Sequence, residues 1–149
     1  EIRLSLVGSE MCIRDSSSRG PEAGDAVEDA LASATQLVRH YGCVVAISGP
    51  VDHILDADRH VTVSSGHEWM TRVTGVGCSL GALTAAFAGI QNDHLIAAVS
   101  ATAMLCVVAE RAAERSAGPG AFAQALVDEL FLVSPDEVGE RGGLRDVTA

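Results

Sequence analysis

The sequence predicts an α/β fold, and three features carry that expectation. Cys43–Ile47 (CVVAI) is a continuous apolar run of strand length, the pattern of a strand covered on both faces. An amphipathic helical pattern precedes it. A strand end turning through glycines into a small-residue helix follows it, so that strand and helix signals alternate. Ala, Val, Leu and Gly dominate a chain of 149 residues that is 48% hydrophobic and only 3% aromatic, and such small side chains let helices lie close on a sheet.

The elements are expected in this order. Glu1–Ser18 shows no sustained period of 2 or 3.6, and Leu4–Ser16 (LSLVGSEMCIRDS) reads like a translated sequencing adaptor, so residues 1–18 are expected to be non-native or disordered. A helix is expected from Pro21 to His40. Pro21 suits a first turn, and Glu22 and Asp25 suit its positive end. Ala26, Val27, Ala30, Leu31, Ala34, Leu37 and Val38 form one stripe, and Gly42 ends it. The run Cys43–Ile47 is expected in a parallel sheet between helices and stops at Ser48-Gly49-Pro50.

Val51–Leu55 and His60–Val63 read as strands joined by an Asp56-Ala57-Asp58 turn, with a polar loop over Ser64–Arg72. After the glycine turn come a helix through Ile90 and a second from Asp93 to Arg115, capped by Asn92 or Asp93. The small, apolar helix Leu80–Ile90 is read as packing in the core rather than at a subunit interface. Gly118-Pro119-Gly120 breaks the pattern before a third helix, Phe122–Leu132, with Phe122, Ala125, Leu126, Leu130 and Phe131 on one side. Residues 19–134 form the expected folded portion, and the Glu-, Arg- and Gly-rich stretch 135–149 reads as a disordered tail.

A net charge of −10 leaves no basic stripe for nucleic acid and argues against an anionic membrane surface. No apolar run is read as reaching the roughly 20 residues that cross a bilayer. Cys12, Cys43, Cys78 and Cys106 show no CxxC or Cys/His zinc spacing, which points to reduced thiols and a cytoplasmic location.

Thr74-Gly75-Val76-Gly77-Cys78 is the sharpest feature. Alternate glycines permit backbone angles closed to other residues, and the helix that follows aims unpaired N–H groups at one point. Such donors, with the helix dipole, suit a phosphoryl group. Taken alone, the pattern is more often helix packing than function, and no Gly-Lys-Ser/Thr follows to make a Walker loop. A helix N-terminus favours the thiolate form of a cysteine, so Cys78 is either a proton acceptor for an attacking hydroxyl or an inert buried thiol. A cysteine hydrolase is a remote alternative, because none of the five histidines is tied to Cys78 by spacing. Asp52, Asp56 and Asp58 read as a solvated hairpin rather than a metal site. Trp69 and Met70 read equally as pocket lining or loop packing, and Glu110, Arg111, Glu114 and Arg115 as a solvated helical face.

Three blocks in order carry a family resemblance. Gly66–Ala82 (GHEWMTRVTGVGCSLGA) resembles the signature of hydroxyethylthiazole kinase, a thiamine-salvage family of the ribokinase-like superfamily. Val44–Asp52 (VVAISGPVD) resembles that family's strand ending in Thr/Ser-Gly followed by Val-Asp, and Gly118–Phe122 (GPGAF) its Gly-Pro-Gly-x-Phe helix start. The likeness spans roughly Gly20–Leu132 and implies the C-terminal half of a ribokinase-like α/β fold, a partial sheet with flanking helices. It implies ATP-dependent phosphorylation of the hydroxyl of 4-methyl-5-(2-hydroxyethyl)thiazole, with ATP and Mg²⁺ as cofactors and a homotrimer as the assembly. It assigns Cys78 as the catalytic base. Val76 and Gly77 contact phosphate through their N–H groups, Ser48 lies at the ATP phosphates and Gly75 touches the thiazole. Glu1, as the possible end of a Ser-Glu-Ile motif, is the implied metal ligand. The family often has Thr where Val76 stands, which removes a hydroxyl contact but leaves the backbone donor. The ATP-contacting Arg and most of the thiazole pocket have no counterpart here. That gap keeps open a nucleotide-binding remnant without catalysis, or a related kinase of another small alcohol. A half-sheet is also expected to expose an edge and an apolar face.

Overall fold

The computed structural model describes residues 27–148. The expected segment 1–18, Glu1 and the helix start at Pro21 lie outside the described residues. Helix α1 spans Val27–Tyr41 and ends at Gly42, whose N–H reaches Val38 O at 2.9 Å. Strands β1 (Val45–Ile47), β2 (Asp52–Leu55) and β3 (His60–Val63) follow, and then a 3-10 turn over Glu68–Arg72. Helices α2 (Val76–Ala88), α3 (His94–Glu114), α4 (Pro119–Leu132) and α5 (Pro135–Arg141) lead to a last strand, β4 (Leu144–Asp146). The α/β class read from the sequence holds.

The sheet itself corrects one expectation. Its order is β1-β2-β3-β4 and every pairing is antiparallel, where the apolar run at Cys43–Ile47 had pointed to a parallel sheet. Connection length is the reason. Only Ser48–Val51 separates β1 from β2, whereas a parallel crossover needs a dozen or more residues. The hairpin at Asp56–Asp58 is as expected. Asp56 accepts the N–H groups of Asp58 and Arg59 at 2.9 and 2.7 Å, closing the turn.

The expected disordered tail is also corrected. Ser134 caps α5 and Pro135 opens it, and β4 then pairs with β3 through Val61↔Asp146, Thr62↔Arg145 and Val63↔Leu144. Composition favoured disorder, but an antiparallel partner for the free edge of β3 supplies backbone hydrogen bonds that composition does not register. Further hydrogen bonds join tail to hairpin, among them Ser65 Oγ donating to Gly142 O at 2.9 Å and Val147 N to His60 O at 2.8 Å.

Helix α3 is the centre of the packing. Ile54 and Val63 on one sheet face pack with Leu95, Ala98, Ala103 and Cys106, while Leu55 on the opposite face meets Ala34 and Val38 of α1. On its other side α3 meets α2 and α4 through Leu105, Val108, Ala109 and Ala112, with Val76, Phe122 and Leu126. At 21 residues, with a mean hydropathy of 1.7 in its most apolar stretch, α3 is long and apolar enough to cross a membrane, which the sequence reading had not recognised. Since 72% of that stretch is buried in the fold, α3 serves as its core helix. Asp93 caps it through Leu95 N and Ile96 N, and Arg59 grips the Asp93 carboxylate at 2.7 and 3.0 Å, tying hairpin to helix. The Arg59 hydrogen bonds hold the Asp93 carboxyl down to about 2.

Helix α2 departs from the expected core helix. Val76 alone among its residues is buried, and Gly81, Ala82, Ala85, Ala86 and Ala88 are exposed. Phe131 also leaves the stripe expected of α4: it is 89% exposed, and Glu129 takes an interior place at 1%. The face Glu110, Arg111, Glu114 and Arg115 is likewise not a free solvated surface. Arg111 and Arg115 converge on Glu129, Arg111 also reaches Glu137, and Arg141 binds Glu110, Glu114 and Glu137. Burial alone would raise the Glu129 carboxyl, but the Arg115 and Arg111 hydrogen bonds outweigh it and hold it below the usual range. Three helices, α3, α4 and α5, are thereby clamped.

His53 Nδ1 and His60 Nε2 stand 2.9 Å apart across the hairpin, so one ring must donate and the other accept. Burial, reinforced by the His53 charge, lowers the His60 pKa. The unfolded chain therefore binds this proton first, and stability falls as pH drops below the ordinary histidine value near 6.5. Melting between pH 7.5 and 5.5 is expected to show a downward slope that His60→Gln flattens; identical slopes would remove the pair as its source.

Candidate functional site

The turn after Val73 is built on one backbone conformation. Gly75 sits at φ 96°, ψ −7°, in the left-handed region, as the N-cap of α2. A Cβ placed there would meet nothing within 4 Å, so glycine is required for its torsions and not for space. Gly75→Ala is expected to cost about 1–2 kcal/mol of stability through strain alone, read by thermal melting. An unchanged melting temperature would mean that the turn relaxes at no cost. Ser79 fastens the first turn of α2, donating to Gly75 O through its N–H at 2.9 Å and its hydroxyl at 3.0 Å.

The N–H groups of Val76, Gly77 and Cys78 open the helix without intrahelical acceptors, at its positive end. Cys78 is exposed, so the inert buried thiol weighed for it is corrected; among the described residues, Cys106 is the buried cysteine. Three helix-opening N–H groups beside an exposed thiol are a geometry suited to an anion. The Val76 side chain is what roots the turn: 8% exposed, it packs with Leu105, Val108 and Ala109 of α3.

Ser48 lies in the connection between β1 and β2 and is exposed. Its neighbour Gly49 donates N–H to Asp52 Oδ1 at 3.0 Å, and the Cys106 thiol of α3 donates to Asp52 Oδ2 at 3.5 Å. Asp52 is thus not the solvated hairpin residue expected of it. Burial raises its pKa against the lowering effect of these donors, and burial with the Asp52 charge pushes the Cys106 thiol up to about 12. No hydrogen bond joins Ser48 to the glycine turn. What they share is a helix and not a face: the Ser48 connection is tied to Cys106 on the sheet side of α3, and the glycine turn packs with Leu105, Val108 and Ala109 on its other side.

The loop between them also leans on α3. Gly66, at φ 121°, brings its backbone against Cys106 Sγ, and its N–H reaches Glu110 Oε1 at 3.0 Å. His67 caps the 3-10 turn by accepting Trp69 N–H at 3.2 Å, and the Trp69 ring stands edge-on to Phe122. Met70 packs against both core clusters, so Trp69 and Met70 are at least loop packing. An open cavity of about 360 Å³, lined by His67, Glu110, Ala113, Glu114 and Arg141, shares no residue with the glycine turn. Among the described residues no three His, Cys, Asp or Glu side chains gather to hold a metal ion.

The structure thus sets a helix that opens on a left-handed glycine, with an exposed thiol in its first turn, on the core helix of an α/β fold. The chain belongs to the hydroxyethylthiazole kinase family, whose model matches residues 4–136. It is 99% identical over 146 residues to a hydroxyethylthiazole kinase of Cutibacterium acnes, a match covering 98% of this chain and 51% of that protein. The match leaves three residues of the chain outside it, so it takes in most of 1–18. A hydroxyethylthiazole kinase of Clavibacter sepedonicus is 51% identical over 122 residues, covering 82% of this chain and 44% of the relative. Among solved structures, the hydroxyethylthiazole kinase protein from Pyrococcus horikoshii OT3 superposes with a TM-score of 0.75 at 34% identity, covering 81% of this chain and 47% of that one. The chain spans about half the length of the curated relatives it matches. The ribokinase-like α/β reading therefore stands.

Proposed function

We propose that this chain carries the phosphoryl-handling half of a kinase that moves the γ-phosphate of ATP to the primary hydroxyl of 4-methyl-5-(2-hydroxyethyl)thiazole. The observation that carries the reading is the left-handed Gly75 opening α2, with Cys78 exposed in its first turn. Val76 and Gly77 offer their N–H groups to the transferring phosphoryl, where charge spreads over its oxygens. Cys78 Sγ takes the hydroxyl proton as the substrate oxygen attacks phosphorus, and ADP leaves. Gly75 lies against the thiazole, and Ser48 supports the remaining ATP phosphates. No described metal cage fits Mg²⁺, and Mg²⁺ that enters on the ATP phosphates needs none. Glu1 remains the proposed protein ligand.

Exposed thiols at Cys43 and Cys78 suit a reducing cytoplasm. The exposed small-residue face of α2 and the β1 edge, unpaired among the described residues, suit a chain completed by further polypeptide or by the homotrimer that the family likeness implies. ADP release is the test, assayed for this chain and within the longer Cutibacterium acnes relative. Release that depends on the thiazole supports the reading. Release that depends instead on a hydroxymethylpyrimidine or a sugar, or no release from either protein, overturns it.

A further inference from the structure

The sequence motif Ser48-Gly49-Pro50-Val51-Asp52 contains one residue that the proposed chemistry leaves unused. Asp52 begins β2 and is only half-buried by its neighbours, yet both its oxygens are engaged. Oδ1 accepts the Gly49 N–H at 3.0 Å, closing the connection on itself three residues back. Oδ2 accepts the Cys106 thiol at 3.5 Å, a long-range contact to the middle of the core helix. The Ser48 side chain is among the groups that stabilise the Asp52 charge. With the Gly49 N–H taken up by Asp52, Ser48 stays exposed beside it.

We propose that Asp52 is a positioning residue for nucleotide binding, its carboxylate tying the Ser48–Gly49 connection to α3, the helix that also roots the glycine turn, so that Ser48 is held in place for the ATP phosphates. This rests on the kinase reading given above. It explains why a carboxylate is kept at a site where burial disfavours its charge. An untethered four-residue connection samples many conformations, and ATP would have to order it on binding.

Titration with Mg·ATP by calorimetry, beside KM for ATP and for the thiazole, separates the roles. Asp52→Ala removes both acceptors and is expected to weaken ATP about tenfold, the worth of roughly one buried hydrogen bond, with thiazole KM unchanged. Asp52→Asn keeps an acceptor for the Gly49 N–H and is expected to stay within about threefold of wild type. A purely structural residue would lower the melting temperature of Asp52→Ala and leave ATP affinity unaltered, which overturns the proposal. Equal losses in Ala and Asn also overturn it, because they would mean that the charge itself acts on ATP or its metal. If Asp52→Ala does not fold, Cys106→Ala removes the α3 end of the tie: weaker ATP binding supports the proposal and unchanged binding overturns it. Wild-type protein that binds no ATP sinks this proposal and the kinase reading together. ATP binding without thiazole-dependent ADP release, but with the Ala/Asn split, removes only the thiazole assignment.

Discussion

On the proposed kinase reading, Cys78→Ala is expected to lower thiazole-dependent ADP release by about 10²–10⁴, the usual worth of a positioned general base, with ATP affinity at the wild-type value. The thiol is exposed at the mouth of the turn and roots nothing, so its removal leaves the fold and the N–H donors intact. Loss in turnover without loss in binding is therefore the signature expected. Cys78→Ser should recover little, since a hydroxyl is a far weaker proton acceptor than a thiolate. Steady-state kinetics on the two variants check this. Turnover within a few-fold of wild type would remove Cys78 from the mechanism and leave the turn as a phosphate cradle alone.

Phe122→Ala is expected to be the most damaging single change to the fold. Its ring is fully buried, and it joins α4 to α3 and α2 through Leu105, Val108 and Val76. It also faces Trp69 edge-on at 6.0 Å, so the 66–72 loop depends on it. Truncation of such a residue costs about 3–5 kcal/mol, or roughly 10–20 °C in melting temperature for a domain of this size. Phe131→Ala, nine residues on and 89% exposed, is the control and should shift stability by no more than about 0.5 kcal/mol. Comparable losses in both variants would mean that the outer face of α4 is covered and that the packing described for Phe122 is not special.

Local signals were legible wherever one residue type dictates one backbone state. The glycine turn before a helix, Asp93 as one of two N-cap candidates and the Asp56 turn were readable, because each is settled within a few residues; that the helix opens at Val76 on a left-handed Gly75 was not. Strand direction was not. A continuous apolar run reads as burial on two faces, yet Ala46 in β1 is exposed, and only the four-residue connection to β2 reveals the antiparallel pairing. The tail was misread because its order comes from partners far along the chain: Ser64, Ser65 and His60 for the backbone, Glu110 and Glu114 for Arg141. The same holds within the candidate site. Gly75, Val76, Gly77 and Cys78 announced themselves as a contiguous motif, and Ser48 was reached through the family likeness. Asp52 looked like one of three hairpin acids until Cys106, 54 positions away, was found against it. Its only sequence signal was its place in VVAISGPVD, directly after a strand end and a Ser-Gly pair. Glu129 escaped for a related reason: an acidic residue on an apolar helix reads as solvent-facing, and only the convergence of Arg111 and Arg115 makes an interior place tolerable.

On the proposed reading, two separate connections, anchored on different sides of α3, hold the phosphates of a nucleotide. Amide NMR during a Mg·ATP titration tests it most directly. The account predicts the largest shifts at the N–H groups of Val76, Gly77 and Cys78 and at Ser48–Gly49, with Arg145 in β4 and Tyr41 at the end of α1 unmoved. ATP binding whose shifts fall instead around His67, Glu114 and Arg141, leaving the glycine turn unchanged, would contradict it.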